Sequence, residues 1–276
     1  MISVIIPAYK EYDNLVTLIP EIHQTLNGDL HEIIVVDDNS GDGTEGLKDA
    51  RVIVRKGERG LSSAVIRGIR ECETDGFVVM DGDHQHPPSV LPSLARALDN
   101  HNLVVGSRYV GDGGTSGWTL SRKIVSRIAS LMGRPLCGIR DSSSGIFGTY
   151  KSLLNIDKLN PIGFKIGLDI YNKLRYESKT EVPYVFSSRK HGDSKFTSKQ
   201  VKEYLKQLFN LYIDFFNPRQ LGKYCLVGSL GVIINFSILI GLTELFGLHY
   251  IVSECFAIGV VLMSNFILNK HWTFKV

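Results

Sequence analysis

Asp81-Gly82-Asp83 sets two carboxylates on either side of a residue without a side chain, directly after the apolar run Gly76–Met80. Two hard oxygen donors at that spacing can hold a Mg²⁺ or Mn²⁺ ion whose other ligands are diphosphate oxygens and water. An ion held there neutralises charge building on a departing nucleoside diphosphate. Gln85 can add a further oxygen. Acidic turns are common, so the pair alone is a weak signal. Two more clusters add weight. Val36-Asp37-Asp38-Asn39-Ser40 ends a second apolar run. A carboxylate there can accept hydrogen bonds from a base edge or ribose hydroxyls, although it would equally suit a helix cap. Pro7-Ala8-Tyr9-Lys10-Glu11 ends a third run, where Tyr9 can pack on a base and Glu11 can bind it.

These clusters need strands behind them. Ser3–Pro7, Glu32–Val36, Arg51–Arg55, Gly76–Met80 and Leu103–Gly106 read as short buried strands. Helices are expected over Asn14–Asn27, after Gly41-Asp42-Gly43-Thr44, over Gly60–Glu71 and over Val90–Asp99. Alternating strands and helices predict a parallel α/β sheet. Open sheets of this kind bind ligands beyond their strands' carboxyl ends, so the three clusters should share one crevice. Further on, Gly111–Gly117 reads as a mobile glycine-rich loop and Leu120–Met132 as an amphipathic helix. Phe164–Arg175 reads as helix, Glu181–Ser187 as strand and Ser198–Phe216 as a helix with a broad aromatic and aliphatic face. That last helix suits a membrane interface, with packing on the core as the competing reading.

Charge divides the chain. Of 31 basic and 28 acidic residues, only Lys223, Glu244, Glu254, Lys270 and Lys275 fall among the last 54. The spans 225–247 and 250–268 are each long and apolar enough to cross a bilayer, joined by Gly247-Leu248-His249. Arg219 and Lys223 before them, with Lys270 and Lys275 after, put both open ends on the cytoplasmic side. The first residues read as a strand rather than a signal peptide. The expectation is an integral membrane protein with two transmembrane helices, its catalytic domain and both termini cytoplasmic. Net charge of +3 argues against general nucleic-acid binding. Four cysteines without a CxxC pair exclude a zinc ribbon. The expected domains are 1–197 (cytosolic), 198–218 (amphipathic interface helix) and 219–276 (two-helix transmembrane region).

Four segments together resemble family-2 glycosyltransferases, and more narrowly the polyprenol-phosphate sugar synthases that include the dolichyl-phosphate mannose synthases. They are Ser3-Val4-Ile5-Ile6-Pro7-Ala8-Tyr9, Val36–Thr44, Asp81-Gly82-Asp83 with His86-Pro87-Pro88, and Gly106-Ser107-Arg108-Tyr109. The resemblance covers roughly residues 1–215. It implies a nucleotide-sugar-binding, Rossmann-like α/β fold of the GT-A type, followed here by a C-terminal transmembrane α-helical hairpin. It implies Mg²⁺ or Mn²⁺ and GDP-mannose. Pro7, Tyr9, Glu11, Val36, Asp38 and Gly82 match donor-binding positions; Asp81, Asp83 and Gln85 match metal positions; Arg108 matches a residue contacting the donor diphosphate. The family's residue between Asp83 and Gln85 is aliphatic. His84 stands there instead; it could supply an extra metal ligand, but a solvent-facing histidine is the expected reading. The tail resembles the first half of a GtrA-like membrane module, with Asn235 and Asn269 as candidates for interhelical hydrogen bonds.

Gly117-Trp118-Thr119-Leu120-Ser121-Arg122 resembles a family segment near the acceptor, and Phe186–Lys195 resembles F-x-x-R-x-x-G-x-S-K. Arg122, Arg189 and Lys195 are therefore expected to position an acceptor phosphate, which guanidinium can grip with paired hydrogen bonds. Asp141 matches D-x-x-S-G and could orient a basic group or the acceptor. The implied reaction is inverting transfer of mannose from GDP-mannose to dolichyl or polyprenyl phosphate at a membrane surface, with a homo-oligomer through the hairpin as an option. The alternatives are transfer of glucose from UDP-glucose to the same lipid, and a non-catalytic protein that binds or flips a lipid carrier.

Overall fold

A computed structural model describes residues 1–174, 176–187, 198–216 and 218–274. They form two compact units, Met1–Leu211 and Tyr212–Val276.

In the first unit β1 (Ile2–Ala8), β2 (Leu30–Asp37), β3 (Arg51–Val54), β4 (Gly76–Val79), β5 (Leu103–Ser107), β7 (Phe147–Tyr150) and β8 (Lys179–Pro183) make one sheet. Its order is β3-β2-β1-β4-β7-β5-β8. Helices α1 (Tyr12–Leu26), α2 (Leu61–Glu71) and α3 (Leu91–Leu98) connect the first strands. Val4, Ile5 and Ile6 are fully buried. Such unbroken apolar runs are what strands covered on both faces require. Leu15, Leu18, Ile19 and Ile22 fall at helical spacing on the buried side of α1.

The sheet is mixed rather than wholly parallel. β7 runs antiparallel between β4 and β5. Its four residues, Phe147-Gly148-Thr149-Tyr150, give little strand signal, and it is the element the sequence pattern does not announce. It matters for function, because an antiparallel strand begins where its parallel neighbours end. The chain preceding β7 therefore lies beside the ends of β4 and β5.

Three local expectations change. The turn at Gly41–Thr44 opens only a single 3₁₀ turn, Thr44–Gly46, because β3 begins five residues later. Asp42 caps it through the Thr44 amide and hydroxyl, at 3.1 and 2.7 Å. The glycine-rich segment carries β6 (Gly114–Thr115), paired with β9 (Val185–Phe186). The expected strand over 181–187 is consequently two strands broken at Tyr184, whose amide donates to the Ser107 carbonyl at 3.1 Å.

Helix α4 (Leu120–Cys137) runs past the expected end at Met132. Short α5 (Ile166–Lys173) and α6 (Ser198–Phe216) follow. Tyr204, Gln207, Leu208 and Leu211 of α6 are buried, and the Tyr204 hydroxyl donates to the Ala129 carbonyl at 2.7 Å. Leu205 and Phe209 remain exposed. The helix thus uses one side for the core and leaves another open.

In the second unit α7 (Pro218–Ile240) continues through a π turn to Leu245, and α8 (Tyr250–Leu268) through another to Thr273. The apolar spans Arg219–Leu245 and Tyr250–Thr273 have 27 and 24 residues, and an 18-residue stretch within each has a mean hydropathy of 2.3 and 2.0. Each exceeds the roughly 20 residues a bilayer crossing needs. The two helices pack through small residues: Val227, Ser253 and Ala257 are buried, and Gly231 lies against the Asn265 amide. Asn269 instead accepts from Thr273 of its own turn at 2.9 Å. Lys223 Nζ donates to the Trp272 carbonyl at 3.2 Å, tying the two open ends together.

Candidate active site

The ends of β2, β1 and β4 are neighbours, so Asp38, Tyr9 and Asp81 follow adjacent parallel strands, as the crevice expectation requires. Asp38 and Arg55 form a buried ion pair, with Arg55 Nε donating to Asp38 Oδ1 at 2.8 Å. The Gly60 amide donates to Asp38 Oδ2 at 2.7 Å. Much of this carboxylate's acceptor capacity is therefore already used. With Asn39, Gly57, Glu58 and Arg59 the pair lines a cleft of about 380 Å³. Arg59 lies over the Tyr9 ring at 5.0 Å, a cation–π contact at its edge. Glu11 accepts from Asn14 Nδ2 at 2.7 Å. Pro7 is half-buried in β1. The Val36 side chain is fully buried against α2, so only its backbone can reach a ligand.

Asp81 and Asp83 leave the end of β4. Gly82 is needed between them: a Cβ there would sit 3.2 Å from Ile6 and 3.3 Å from Leu15. Asp83 is buried, and its Oδ1 accepts from the Gln85 amide at 3.1 Å. Gln85 Nε2 donates to the Ser187 carbonyl at 3.3 Å. His84 does not face solvent. It is buried against α1, with Nε2 at 2.8 Å from the Thr17 hydroxyl and 3.1 Å from the Asn14 carbonyl. Its positive φ of 59° turns the side chain to α1. His86 is also buried; Nδ1 accepts from the Asp81 amide at 3.3 Å, and burial pushes its pKa down to about 4. Neutral His86 thus acts as an acceptor behind the first carboxylate.

The segment entering β7 brings Asp141, Ser143 and Gly145 to this end. Gly145 fits so closely that a Cβ would stand 3.0 Å from Asp81 Oδ2 and 3.1 Å from His86. Arg108, at the end of β5, makes a paired contact with Asp141: Nε to Oδ2 at 2.8 Å and NH2 to Oδ1 at 2.7 Å. The Arg108 backbone amide adds a third bond to Asp141 at 2.9 Å, and NH2 also reaches the Ser143 hydroxyl at 2.9 Å. Burial works against both charges, but the hydrogen bonds and mutual attraction win. Arg108 is pushed up and Asp141 held below the usual carboxylate range. Asp141 therefore orients a basic group, and much of Arg108 is committed to it.

Arg122 is exposed near the start of α4 and lies over Trp118 at 4.2 Å. Beside it Arg108, Tyr109, Trp118, Lys123, Ile124 and Arg127 line a second cleft, of about 510 Å³. Arg189 and Lys195 lie outside the described residues. Arg55 and Arg59 in the first cleft and Lys123 and Arg127 in the second escaped the sequence reading, and so did Lys165. Lys165 reaches into the same cluster, its Nζ donating to the Ser143 carbonyl at 2.5 Å. Burial, with Arg108 nearby, lowers its pKa to about 8 against the opposing pull of Asp81 and Asp141. A lone lysine in an irregular segment carries no motif.

The donor set suits a hard divalent ion. Asp81 and Asp83 offer oxygen, and among the described residues no group of three or more His, Cys, Asp or Glu side chains forms a complete cage. An ion held by two carboxylates and finished by phosphate oxygens and water is the usual pattern for Mg²⁺.

Residues 3–162 match the domain described as Glycosyl transferase family 2, and residues 223–276 match the GtrA/DPMS transmembrane domain. A dolichol-phosphate mannosyltransferase of Pyrococcus furiosus is 39% identical over 99% of this chain and 81% of its own length. One of Saccharomyces cerevisiae is 38% identical over 79% of this chain and 90% of its own. Among solved structures, glucosyl-3-phosphoglycerate synthase from Mycobacterium tuberculosis, in complex with Mn²⁺ and UDP, superposes with a TM-score of 0.57. The match has 23% identity and covers 78% of this chain and 79% of that one, a likeness of fold. The chain belongs to glycosyl transferase family 2, as a transferase of the GT-A fold joined to a transmembrane hairpin.

Proposed function

We propose that this enzyme transfers mannose from GDP-mannose to dolichyl or polyprenyl phosphate, with inversion at the anomeric carbon. The supporting observation is the Pyrococcus relative, whose similarity runs through catalytic domain and tail alike, over 99% of the chain. In this reading an oxygen of the acceptor phosphate attacks the anomeric carbon. The new C–O bond forms as the bond to the donor diphosphate breaks, and GDP leaves. A phosphate monoester is already ionised near neutral pH, with a second pKa of about 6. The nucleophile thus needs no side chain to remove a proton.

The task left to the protein is placement and charge balance. Asp81 and Asp83, with Gln85, would hold Mg²⁺ or Mn²⁺. When bound, that ion supplies Lewis-acid stabilisation of the leaving diphosphate. The cleft beside Asp38, Arg55 and Arg59 is suited to the nucleoside, with Tyr9 and Glu11 at its border. Asp141 keeps Arg108 extended and charged toward the second cleft. That cleft combines aromatic walls with Lys123 and Arg127, a combination suited to an isoprenoid phosphate. Arg122, and by resemblance Arg189 and Lys195, would serve the same phosphate.

Helix α4 adds an observation about the bilayer. Leu120, Ile124, Ile128 and Leu131 line one exposed face, with Arg122, Lys123 and Arg127 beside it. Apolar side chains flanked by basic ones are the pattern of a helix lying in a membrane interface. We extend the proposed interface role from α6 to α4. Basic residues at both open ends of the hairpin support cytoplasmic termini, hence donor use on that side. We retain 1–197 as the catalytic domain, 198–218 as the interface helix and 219–276 as the membrane region. Association of copies through the hairpin is kept as part of this proposal.

The test is incubation of purified protein with labelled GDP-mannose or UDP-glucose, Mn²⁺ and dolichyl phosphate, followed by organic extraction. Label should enter the organic phase from GDP-mannose. Label from UDP-glucose alone would overturn the donor assignment.

A further inference from the structure

The positive charge of Arg108 is matched by Asp141, in a buried contact of two parallel hydrogen bonds. Lys165 is different. Its Nζ meets the Ser143 carbonyl at 2.5 Å and, among the described residues, forms no ion pair with a carboxylate. A part-buried ammonium with no carboxylate in direct contact is costly, and its one close contact here is a carbonyl dipole, with Asp81 and Asp141 acting only from further off. Helix formation does not explain it. Lys165 directly precedes α5, and the positive end of a helix dipole disfavours a cation there.

The position is nevertheless tightly built. The Lys165 carbonyl accepts from Gln207 Nε2 at 3.1 Å, and two residues earlier the Gly163 carbonyl accepts from the Ser62 hydroxyl at 2.7 Å. The segment is thus held from α6 on one side and α2 on the other. Lys165 and Arg108 converge on Ser143, one at its carbonyl and one at its hydroxyl. Ser143 lies between Asp141 and Gly145, and Gly145 borders Asp81. The unmatched charge therefore stands at the edge of the metal-binding carboxylates. A divalent ion would balance Asp81 and Asp83. A diphosphate arriving with it would still bring uncompensated negative charge.

We propose that Lys165 binds a phosphate group of the reactants, supplying the positive charge that Arg108, committed to Asp141, does not. This rests on the transfer reaction proposed above. The ammonium would exchange or share its carbonyl contact for a charge-assisted hydrogen bond to a phosphate oxygen. The chemistry is common to the donor diphosphate and the acceptor phosphate, and binding measurements separate them.

Full-length wild-type and Lys165→Met proteins, in detergent with Mn²⁺, are titrated with GDP and with GMP, and the KM for dolichyl phosphate is measured. A donor role predicts about ten- to a hundredfold weaker GDP binding with GMP binding unchanged, since GMP lacks the second phosphate. An acceptor role predicts unchanged GDP binding and a rise of similar size in the acceptor KM. Lys165→Arg, which keeps the charge, should recover part of the loss in either case. The proposal fails if GDP binding and the acceptor KM both stay within twofold of wild type. It also fails if GDP and GMP binding fall equally, the mark of a collapsed site. Failure of wild-type protein to use GDP-mannose while still binding GDP would count against the donor reading and leave the lysine result standing.

Discussion

The two units turn their apolar residues in opposite directions. In Met1–Leu211, Val4, Ile5 and Ile6 are inside with no exposure, and even charges are buried as pairs, Arg55 with Asp38 and Arg108 with Asp141. In Tyr212–Val276, Phe256, Leu262, Met263 and Phe266 point outward, while Ser253 and Ala257 are covered. Large side chains outside and small ones between helices suit hydrocarbon as the solvent, where close packing rather than water exclusion joins helices. Helix α4 of the first unit shares the second unit's habit along one face. The difference teaches a division of labour: electrostatics are concentrated in one unit and lipid contact in the other.

That division can be broken on either side. The largest effect should come from chelation. EDTA should reduce transfer to background and Mn²⁺ or Mg²⁺ restore it, with the protein staying in the membrane fraction throughout. Metal-independent transfer would remove the role given to Asp81 and Asp83.

Next is Asp141→Asn, which strands Arg108 in the interior. The expected cost is about 3–5 kcal/mol in unfolding free energy of the first unit. Asp141 titrates below its ordinary value of 3.8 in the folded protein. Its stabilising contribution is therefore complete at neutral pH and lost only as pH falls below that value, through the lower folded one. The difference between variant and wild type should hold constant from pH 7 to pH 5, as denaturant titrations at each pH would show.

Gly231→Leu addresses the second unit. A side chain there would meet Asn265, and overpacking of this kind costs about 1–3 kcal/mol. Detergent unfolding should register the loss while GDP binding is unchanged. The smallest effect is expected from Ile128→Ser with Leu131→Ser on α4, two exposed positions outside the second cleft. Less apolar surface would reach the bilayer, and the KM for membrane-borne acceptor should rise by about tenfold, with GDP affinity unaltered. An unchanged KM would remove α4 from the lipid surface.

Much of this was legible in residue order because the strands are buried on both faces and read as apolar runs. The acidic pair follows one of them directly. The helix bounds Ser198–Phe216 and Tyr250–Leu268 agree with the pattern residue for residue. What escaped depends on distant partners. Asp141 was legible as a motif, yet its contact with Arg108 spans 33 residues of chain. β7 is too short and too glycine-rich to stand out, and its antiparallel direction depends on β4 and β5. His84 was expected in solvent because its burial depends on Thr17 and Asn14, two positions on α1. Lys165 carries no local signal; its interest arises from what is absent around it.

The central claim is that Asp81 and Asp83 carry the transfer chemistry while the hairpin carries the attachment. Asp83→Ala protein, compared with wild type in membranes for mannosyl transfer from GDP-mannose and for retention in the membrane pellet, tests both halves together. The account predicts a fall in transfer of about a thousandfold or more, with retention unchanged. Undiminished transfer by the variant would contradict it.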